Sequence, residues 1–158
     1  MARIIPNENT WVGFATTVAS TSAPTAANIT SAVDLTHYVI SINASAQGNT
    51  VPTPSFDTLF ETSIAGTTQA SFSADFYRDD EDDDAWDTLA RATEGYFIIS
   101  RFGGAGTNNK PIAADKVEVW PVVVVSRTMA NMSNNTVMTF TVTCSVPEEP
   151  AESATVAS

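Results

Sequence analysis

Hydrophobic and polar residues alternate along several stretches of the chain, which is the pattern of half-buried β-strands. The clearest stretch is residues 67–78, in which Ala70, Phe72, Ala74 and Phe76 share one face and polar residues occupy the other. Apolar residues alternate with Thr and Ser in the same way over residues 136–146. Further strands are predicted over residues 10–18, 37–43, 96–102 and 116–126. Pro121 lies inside the last of these, which predicts a bend, a bulge or an edge position there.

One helix is predicted directly after the strand at residues 67–78. Residues 79–84 are consecutive acids, and Trp86 and Leu89 follow them at helical spacing, with Gly95 as a C-terminal stop. Acidic residues at the start of a helix interact favourably with its dipole. The pattern therefore predicts a helix near residues 83–93 that packs Trp86 and Leu89 against the sheet.

Residues 44–66 fit neither a strand nor a helix pattern and are predicted to be a long loop. Loops of this length in compact domains are usually functional or disordered, and disordered segments avoid large apolar side chains. The segment is therefore predicted to be an arm that makes contacts between subunits. Its proposed contact residues are Pro52, Pro54, Phe56, Leu59, Phe60 and Ile64.

The remaining segments are predicted to lack regular structure. Residues 19–31 are small and polar, which is typical of a loop, and residues 147–158 are predicted to be an acidic, mobile tail. Residues 1–146 then form one domain, as expected for a chain of 158 residues that is 43% hydrophobic. The fold class predicted is mainly β, a sandwich or half-barrel with one flanking helix.

The charge balance excludes one large class of function. The chain has 18 acidic and 7 basic residues, a net charge of −11, whereas proteins that hold DNA rely on Lys and Arg. Residues 1–6 contain no apolar region typical of a secretion signal, and the longest apolar run, residues 122–125, is too short to cross a membrane. These features predict a protein that is made in the cytoplasm and has no membrane partner.

Searches for catalytic and metal-binding patterns give no site. Counted from Asp79, the sixth and twelfth residues are Asp84 and Ala90, where a calcium-binding EF-hand loop has Gly and Glu. His37 is the sole histidine and has no sequence pattern of a catalytic triad around it, and Cys144 lies on an apolar strand face. The sequence therefore predicts no catalytic residue, no metal site and no cofactor, and a structural or binding role.

Residues 67–102 resemble a known family. A serine-rich strand ends in Phe-Tyr-Arg-Asp, leads through acids to a helix with Trp86 and Leu89, and is followed by a strand that begins Gly95-Tyr96-Phe97. This order is similar to the central segment of tail-tube proteins of long-tailed bacteriophages, especially those of actinobacterial hosts. The stretch ANITSAVDLTHYV, residues 27–39, is similar to the N-terminal part of the same family, so the resemblance covers about half of the chain.

The resemblance implies a β-sandwich subunit whose sheets join into a continuous barrel in a hexameric ring. Such rings stack head to tail into a tube, a long loop reaches the neighbouring ring, and double-stranded DNA passes through without specific binding. The implied partners are further copies of the chain and the tape measure, tail terminator and distal tail proteins. The implied location is the virion tail, after assembly in the host cytoplasm.

A tube that conducts DNA needs a wall that does not hold phosphate, so acidic or hydroxyl-bearing strand faces are the candidates for the lumen. The predicted lumen residues are Ser71, Ser73, Asp75 and Glu118. A plain solvated sheet face is the other interpretation of the same residues. A β-sandwich adhesin or binding module is the alternative function, and a connector or capsid decoration protein is a further one.

Overall fold

The computed structural model describes residues 9–158, which form one eight-stranded antiparallel sheet with two short helices. The order across the sheet is β2-β1-β5-β6-β7-β4-β3, and β8 pairs with β6 outside this path. The mainly β class is therefore confirmed. The elements are β1 (Trp11–Ala15), α1 (Ala26–Ser31), β2 (Val33–Asp34), β3 (Val39–Thr53), β4 (Thr62–Tyr77), α2 (Asp84–Thr88), β5 (Glu94–Ser100), a 3₁₀ turn (Thr107–Asn109), β6 (Lys116–Met129), β7 (Thr139–Ser145) and β8 (Ala151–Thr155).

Two hydrophobic clusters lie on opposite faces of the central strands. The inner core is rich in aromatic rings: Phe97 stacks on Phe72 at 4.6 Å between ring centroids and meets the edge of Phe14 at 5.2 Å. The outer core is smaller and packs α1 and β8 against the sheet around Trp11 and Ile98. Strands β1, β5 and β6 contribute alternate residues to both cores, which is why their sequences are apolar on both faces.

The alternation predicted for β4 and β7 is found in the structure. Apolar residues of both strands point into the inner core, and the residues between them face away from it. The two strands pair antiparallel, with Phe76 opposite Phe140 and Phe72 opposite Cys144. The alternation of apolar and polar residues was sufficient to predict these two strands and their inward faces, because only one face of each strand is buried.

Residues 44–66 are not an irregular loop, as the sequence suggested, but the outer half of a long β-hairpin. Strand β3 continues to Thr53, and β4 begins at Thr62, so the true loop is residues 54–61. Hydroxyl pairs support the ribbon, with Ser45 and Ser71 oxygens 3.1 Å apart and those of Thr53 and Thr62 2.8 Å apart. Backbone pairing gives this polar segment a strand conformation that its low hydrophobicity does not indicate.

The helix predicted near 83–93 is only one turn long and ends at Thr88. The chain leaves helical geometry at Leu89, whose φ is −96° and ψ is 43°, and Ala92, with a φ of +68°, then donates its amide to the carbonyl of Val124 at 2.8 Å. Gly95 is not the stop of this helix but lies in β5. A Cβ at Gly95 would stand 2.3 Å from the ring of Phe14, so close strand packing requires the glycine.

Helix α1 was predicted to be part of a loop. Thr25 begins it with a capping box, in which the Thr25 hydroxyl accepts from the amide of Asn28 and the Asn28 side chain accepts from the amide of Thr25. Ile29 is buried in the outer core. A single apolar anchor among small residues leaves no helical periodicity in the sequence.

The C-terminal segment is not a mobile tail in the structure. Strand β8 pairs antiparallel with the first part of β6, and Ala154 and Val156 are buried in the outer core. The amide of Val156 donates to the carbonyl of Asp115 at 2.9 Å, and its carbonyl accepts from Ala114 at 2.8 Å. The prediction failed because two small apolar side chains and a backbone ladder, rather than large hydrophobic residues, hold the segment.

Pro121 lies where β6 changes partner along one of its sides. Pairing with β8 ends at Val119, and pairing with β7 begins at Val123, so Pro121 falls between them. Proline has no backbone N–H to donate. Pro121 lies in the gap between β8 and β7, where this side of β6 has no partner strand that would need a donor. The first part of β6 thereby belongs to the outer layer of the molecule and the last part to the β3-β4-β7 ribbon.

Candidate assembly surfaces

One face of β3, β4, β7 and the end of β6 is lined by hydroxyl and amide side chains, and we call it the polar wall. It lies on the opposite side of these strands from the inner core. Rows of the wall cross all four strands, because Ser41 lies opposite Asp75, Asp75 opposite Thr141, and Thr141 opposite Thr128. The wall residues used below are Ser41, Asn43, Ser45, Ser71, Ser73, Asp75, Ser126, Thr128, Thr141 and Thr143.

Asp75 is held at the centre of the polar wall by its neighbours. Ser41 donates to Oδ2 at 2.9 Å and Thr141 donates to Oδ1 at 2.6 Å, one from each adjacent strand. Hydrogen bonds to a carboxylate fix its position on the sheet surface. Ser71 and Ser73 lie on the same face of β4, so the structure places three of the four predicted lumen residues together.

The fourth, Glu118, lies elsewhere, and the prediction that it shares a wall with Asp75 is corrected. It occupies the face of β6 that carries Trp120, whose Nε1 donates to Glu118 at 3.3 Å. Arg101 donates to both carboxylate oxygens, at 2.5 Å and 3.0 Å. This hydrogen bonding raises the pKa of Arg101 and leaves Glu118 as half of an ion pair. The alternation shows that Glu118 lies on the face of β6 opposite to Val117 and Val119. It does not show whether that face points into a core or toward the polar wall.

The four strands of the polar wall have two open edges. Strand β3 is the last strand of the sheet. On the other side, β5 pairs with β6 only as far as Val123 opposite Glu94, so within residues 9–158 no strand covers that side of residues 126–129. Unpaired strand edges are sites where another chain can add a strand.

The arm, residues 44–66, ends in an apolar tip that no described part of the chain covers. Phe56 and Leu59 are as exposed as in an extended peptide, at 113% and 109%, and Phe60 is 75% exposed. Ile64 and Val51 add apolar surface next to this tip. Pro52 lies in β3 and Pro54 directly follows it, where the hairpin opens into its loop. Exposed large apolar side chains of this kind are candidates for a contact with another molecule.

The acidic run, residues 79–84, lies at the other end of β4, where Trp86 anchors it. Arg78 stacks on Trp86 at 4.0 Å from the ring centroid and pairs with Asp83 at 2.5 Å, and Arg127 stacks on the same ring at 3.5 Å. Trp86 also meets Phe140 edge-on at 5.1 Å, and Leu89 is fully buried in the inner core. The sequence gives no sign of Arg127, which is 41 positions from Trp86.

The side chains that could carry chemistry are dispersed or blocked. His37 lies exposed on a turn, and burial raises the pKa of the Cys144 thiol to about 12. Burial, together with the carboxylates of the acidic run, also raises the pKa of Tyr38. Among residues 9–158, no three side chains of the metal-binding types come close enough to hold an ion. The helices of this part of the chain are too short to cross a membrane.

Open strand edges, an exposed apolar arm and a continuous polar wall define a structural subunit that is built to join further copies. The sequence model of the phage tail tube protein family matches residues 1–158, and the chain belongs to that family. It is a structural subunit of a tail tube, and its place is the tail of the virion. No curated protein sequence matches the chain significantly.

Solved structures with the same fold come from gene transfer agent particles and from an extracellular contractile injection system. A protein in the virion of a native gene transfer agent particle has a TM-score of 0.59 at 11% identity, over 94% of this chain and 97% of that one. A protein in the tail of an empty gene transfer agent particle, computed with C6 symmetry, has a TM-score of 0.58 at 14% identity, over 94% and 98%. A protein of the sheath–tube complex of an extracellular contractile injection system has a TM-score of 0.59 at 11% identity, over 92% and 88%.

Proposed function

We propose that copies of this chain close into a ring by joining β3 of one subunit to the open edge of β6 in the next. The observation that carries this proposal is the four-stranded ribbon with two open edges. Its strands alternate in direction, so β3 and β6 run opposite ways and the joint is antiparallel like every pair inside the subunit. The pairing also removes the exposed edges that would otherwise allow uncontrolled association.

A ring of six subunits is the number we propose, on the support of the C6 symmetry of the matching gene transfer agent tail. In this ring the inner cores face outward and the polar walls face the lumen. Double-stranded DNA carries about one negative charge per 1.7 Å of its axis, so a basic lumen would bind it tightly. Hydroxyl groups and one carboxylate per subunit, Asp75, give a wall along which DNA slides without specific binding.

Rings then stack head to tail, with the arm of each subunit reaching the neighbouring ring. The further partners that we propose are the tape measure, tail terminator and distal tail proteins. Assembly takes place in the host cytoplasm. The role is structural and requires neither catalysis nor a cofactor.

The test of the wall is the variant Asp75→Lys in virions and in purified tubes. Each ring would gain a circle of lysines in the lumen, so we expect normal tails, slower genome ejection and retention of DNA by tubes at low salt that is lost as salt rises. Asp87→Lys is the matched control, because it makes the same charge change at an exposed acid of α2, which packs against the inner core on the other side of these strands from the polar wall. Ejection at the wild-type rate in Asp75→Lys would refute the assignment of this face to the lumen.

A further inference from the structure

A hollow with three large apolar side chains lies at the end of the polar wall that is remote from the arm tip. It is formed by the loop between β6 and β7, residues 130–138, and has a volume of about 440 Å³. Its lining is mixed: Asn131, Ser133, Asn134 and Thr136 contribute polar groups, and the large apolar side chains are Met132, Val137 and Met138, which are 80%, 64% and 44% exposed. The loop is fixed at its base, because the amide of Arg78 donates to the carbonyl of Met138 at 2.9 Å. We call this surface the Met hollow.

The Met hollow and the arm tip are at opposite ends of the same ribbon. Strand β4 begins beside the tip at Thr62 and ends beside the hollow at Tyr77, and its 16 residues span about 50 Å at roughly 3.3 Å per residue. The arm of one subunit therefore cannot reach its own hollow. In a head-to-tail stack, however, the arm end of each subunit faces the hollow end of the next.

We propose that the Met hollow is the receptor for the arm tip of a second copy of this chain in the adjacent ring. This inference rests on the proposed role of the arm and adds the surface that receives it. Phe56 and Phe60 together can bury about 300–500 Å² at roughly 150–250 Å² per ring. That is about half of the roughly 800 Å² per partner found in stable interfaces, and Leu59 and Ile64 add to it.

The methionine side chains of the hollow suit the aromatic side chains of the arm tip. Methionine side chains are unbranched and adapt to irregular apolar shapes, and their sulfur atoms make favourable contacts with aromatic rings. The contact between the two surfaces is heterologous, so it leaves a free arm at one end of every stack and a free hollow at the other. Such a contact propagates a tube without limit from the subunit alone.

The charges that surround the two surfaces repel each other. Asp57 and Glu61 flank the arm tip, while Asp79 and Asp80 lie beside Met138 at the edge of the hollow. Salt screens such exposed charges, with a Debye length of about 10 Å at 0.1 M. Tube assembly through this contact therefore becomes more favourable as salt is raised. The retention of DNA by Asp75→Lys tubes has the opposite dependence, since it weakens as salt is raised.

Cysteine cross-linking of assembled tubes tests the contact directly. The native Cys144 is not expected to form disulfides in this experiment, because it is buried and its thiol has a pKa of about 12. Phe56→Cys would be combined in turn with Met132→Cys, Val137→Cys and Met138→Cys, and the tubes oxidised. We expect a ladder of disulfide-linked oligomers with at least one pair, and loss of the ladder with either cysteine alone. Phe56→Cys with Phe102→Cys is the control, since Phe102 is 66% exposed on the loop after β5.

The outcomes separate this inference from the proposed role of the arm. If tubes form and none of the three pairs cross-links, the hollow is not the receptor. The variant pair Met132→Ser and Met138→Ser gives a second measure: we expect loss of tubes at concentrations where the wild type assembles. If this pair still forms tubes but Phe56→Ser with Phe60→Ser does not, the arm acts elsewhere. If both form tubes, the arm proposal itself fails.

Discussion

Replacement of Trp86 by alanine tests how the acidic run is attached to the sheet. The change removes two cation–π contacts, each worth about 0.5–2 kcal/mol, and one aromatic contact with Phe140, worth about 0.5–1.5 kcal/mol. These contributions share one ring, so we expect a loss of about 2–4 kcal/mol in the free energy of unfolding. Trp86 is partly exposed, which places this loss toward the low end of the about 3–5 kcal/mol of a fully buried tryptophan.

The assay is thermal or urea unfolding of the free subunit at protein concentrations below those of tube formation. For a chain of this size, 1 kcal/mol corresponds to about 2–4 °C, so Trp86→Ala should lower the Tm by about 5–15 °C. Trp86→Phe keeps a ring against Phe140 and should lose less. Phe102→Ala, at an exposed ring without such partners in the described contacts, should stay within about 0.5 kcal/mol of the wild type. A Tm of Trp86→Ala equal to that of Phe102→Ala would refute the stacking argument.

Three further predictions follow from the surfaces and the core. Phe56→Ala with Phe60→Ala should give a subunit with wild-type Tm that forms no tubes by electron microscopy; normal tubes would contradict the arm proposal. Deletion of residues 151–158 should lower the Tm by several degrees, because it uncovers the outer core, and an unchanged Tm would show that β8 is dispensable. The Cys144 thiol, with a pKa raised to about 12, should resist alkylation at pH 8 until the protein is unfolded. The folded state favours the neutral thiol, so its contribution to stability is lost as pH rises above about 8.5, the pKa of a free thiol; rapid alkylation of the native protein would contradict this burial.

The parts of the fold that were predictable from the sequence are those in which one strand face alone is buried. Phe72, Ala74 and Phe76 in β4 and Phe140 and Val142 in β7 form unbroken alternations, so both strands were identified with the correct face inward. The sequence of the arm contains Gly48, Asn49 and two prolines, which oppose a strand. The ribbon forms there because each strand is the hydrogen-bonding partner of the other, and such pairing between distant residues leaves no local signal.

The candidate site was predictable in part for a related reason. Ser71, Ser73 and Asp75 follow from the alternation of a single strand, and the structure keeps them on one face. Glu118 follows from the same rule but lies on a strand with both faces covered, so its phase does not show whether it lies on the same face as Asp75. The Met hollow was missed because it is formed by a loop, whose shape depends on the strands that it joins.

The sharing of β1, β5 and β6 between the two cores has a consequence for cooperativity. Each of these strands places alternate side chains in the inner and the outer core, so neither core can be lost while the other keeps its strands in place. The layer that carries the polar wall and the layer that carries α1 and β8 are therefore one folding unit, and a subunit should unfold in a single transition. Within each subunit of a tube, no layer can therefore melt separately from the rest of the domain, and the contacts between subunits are the places where the wall can open while the subunits stay folded.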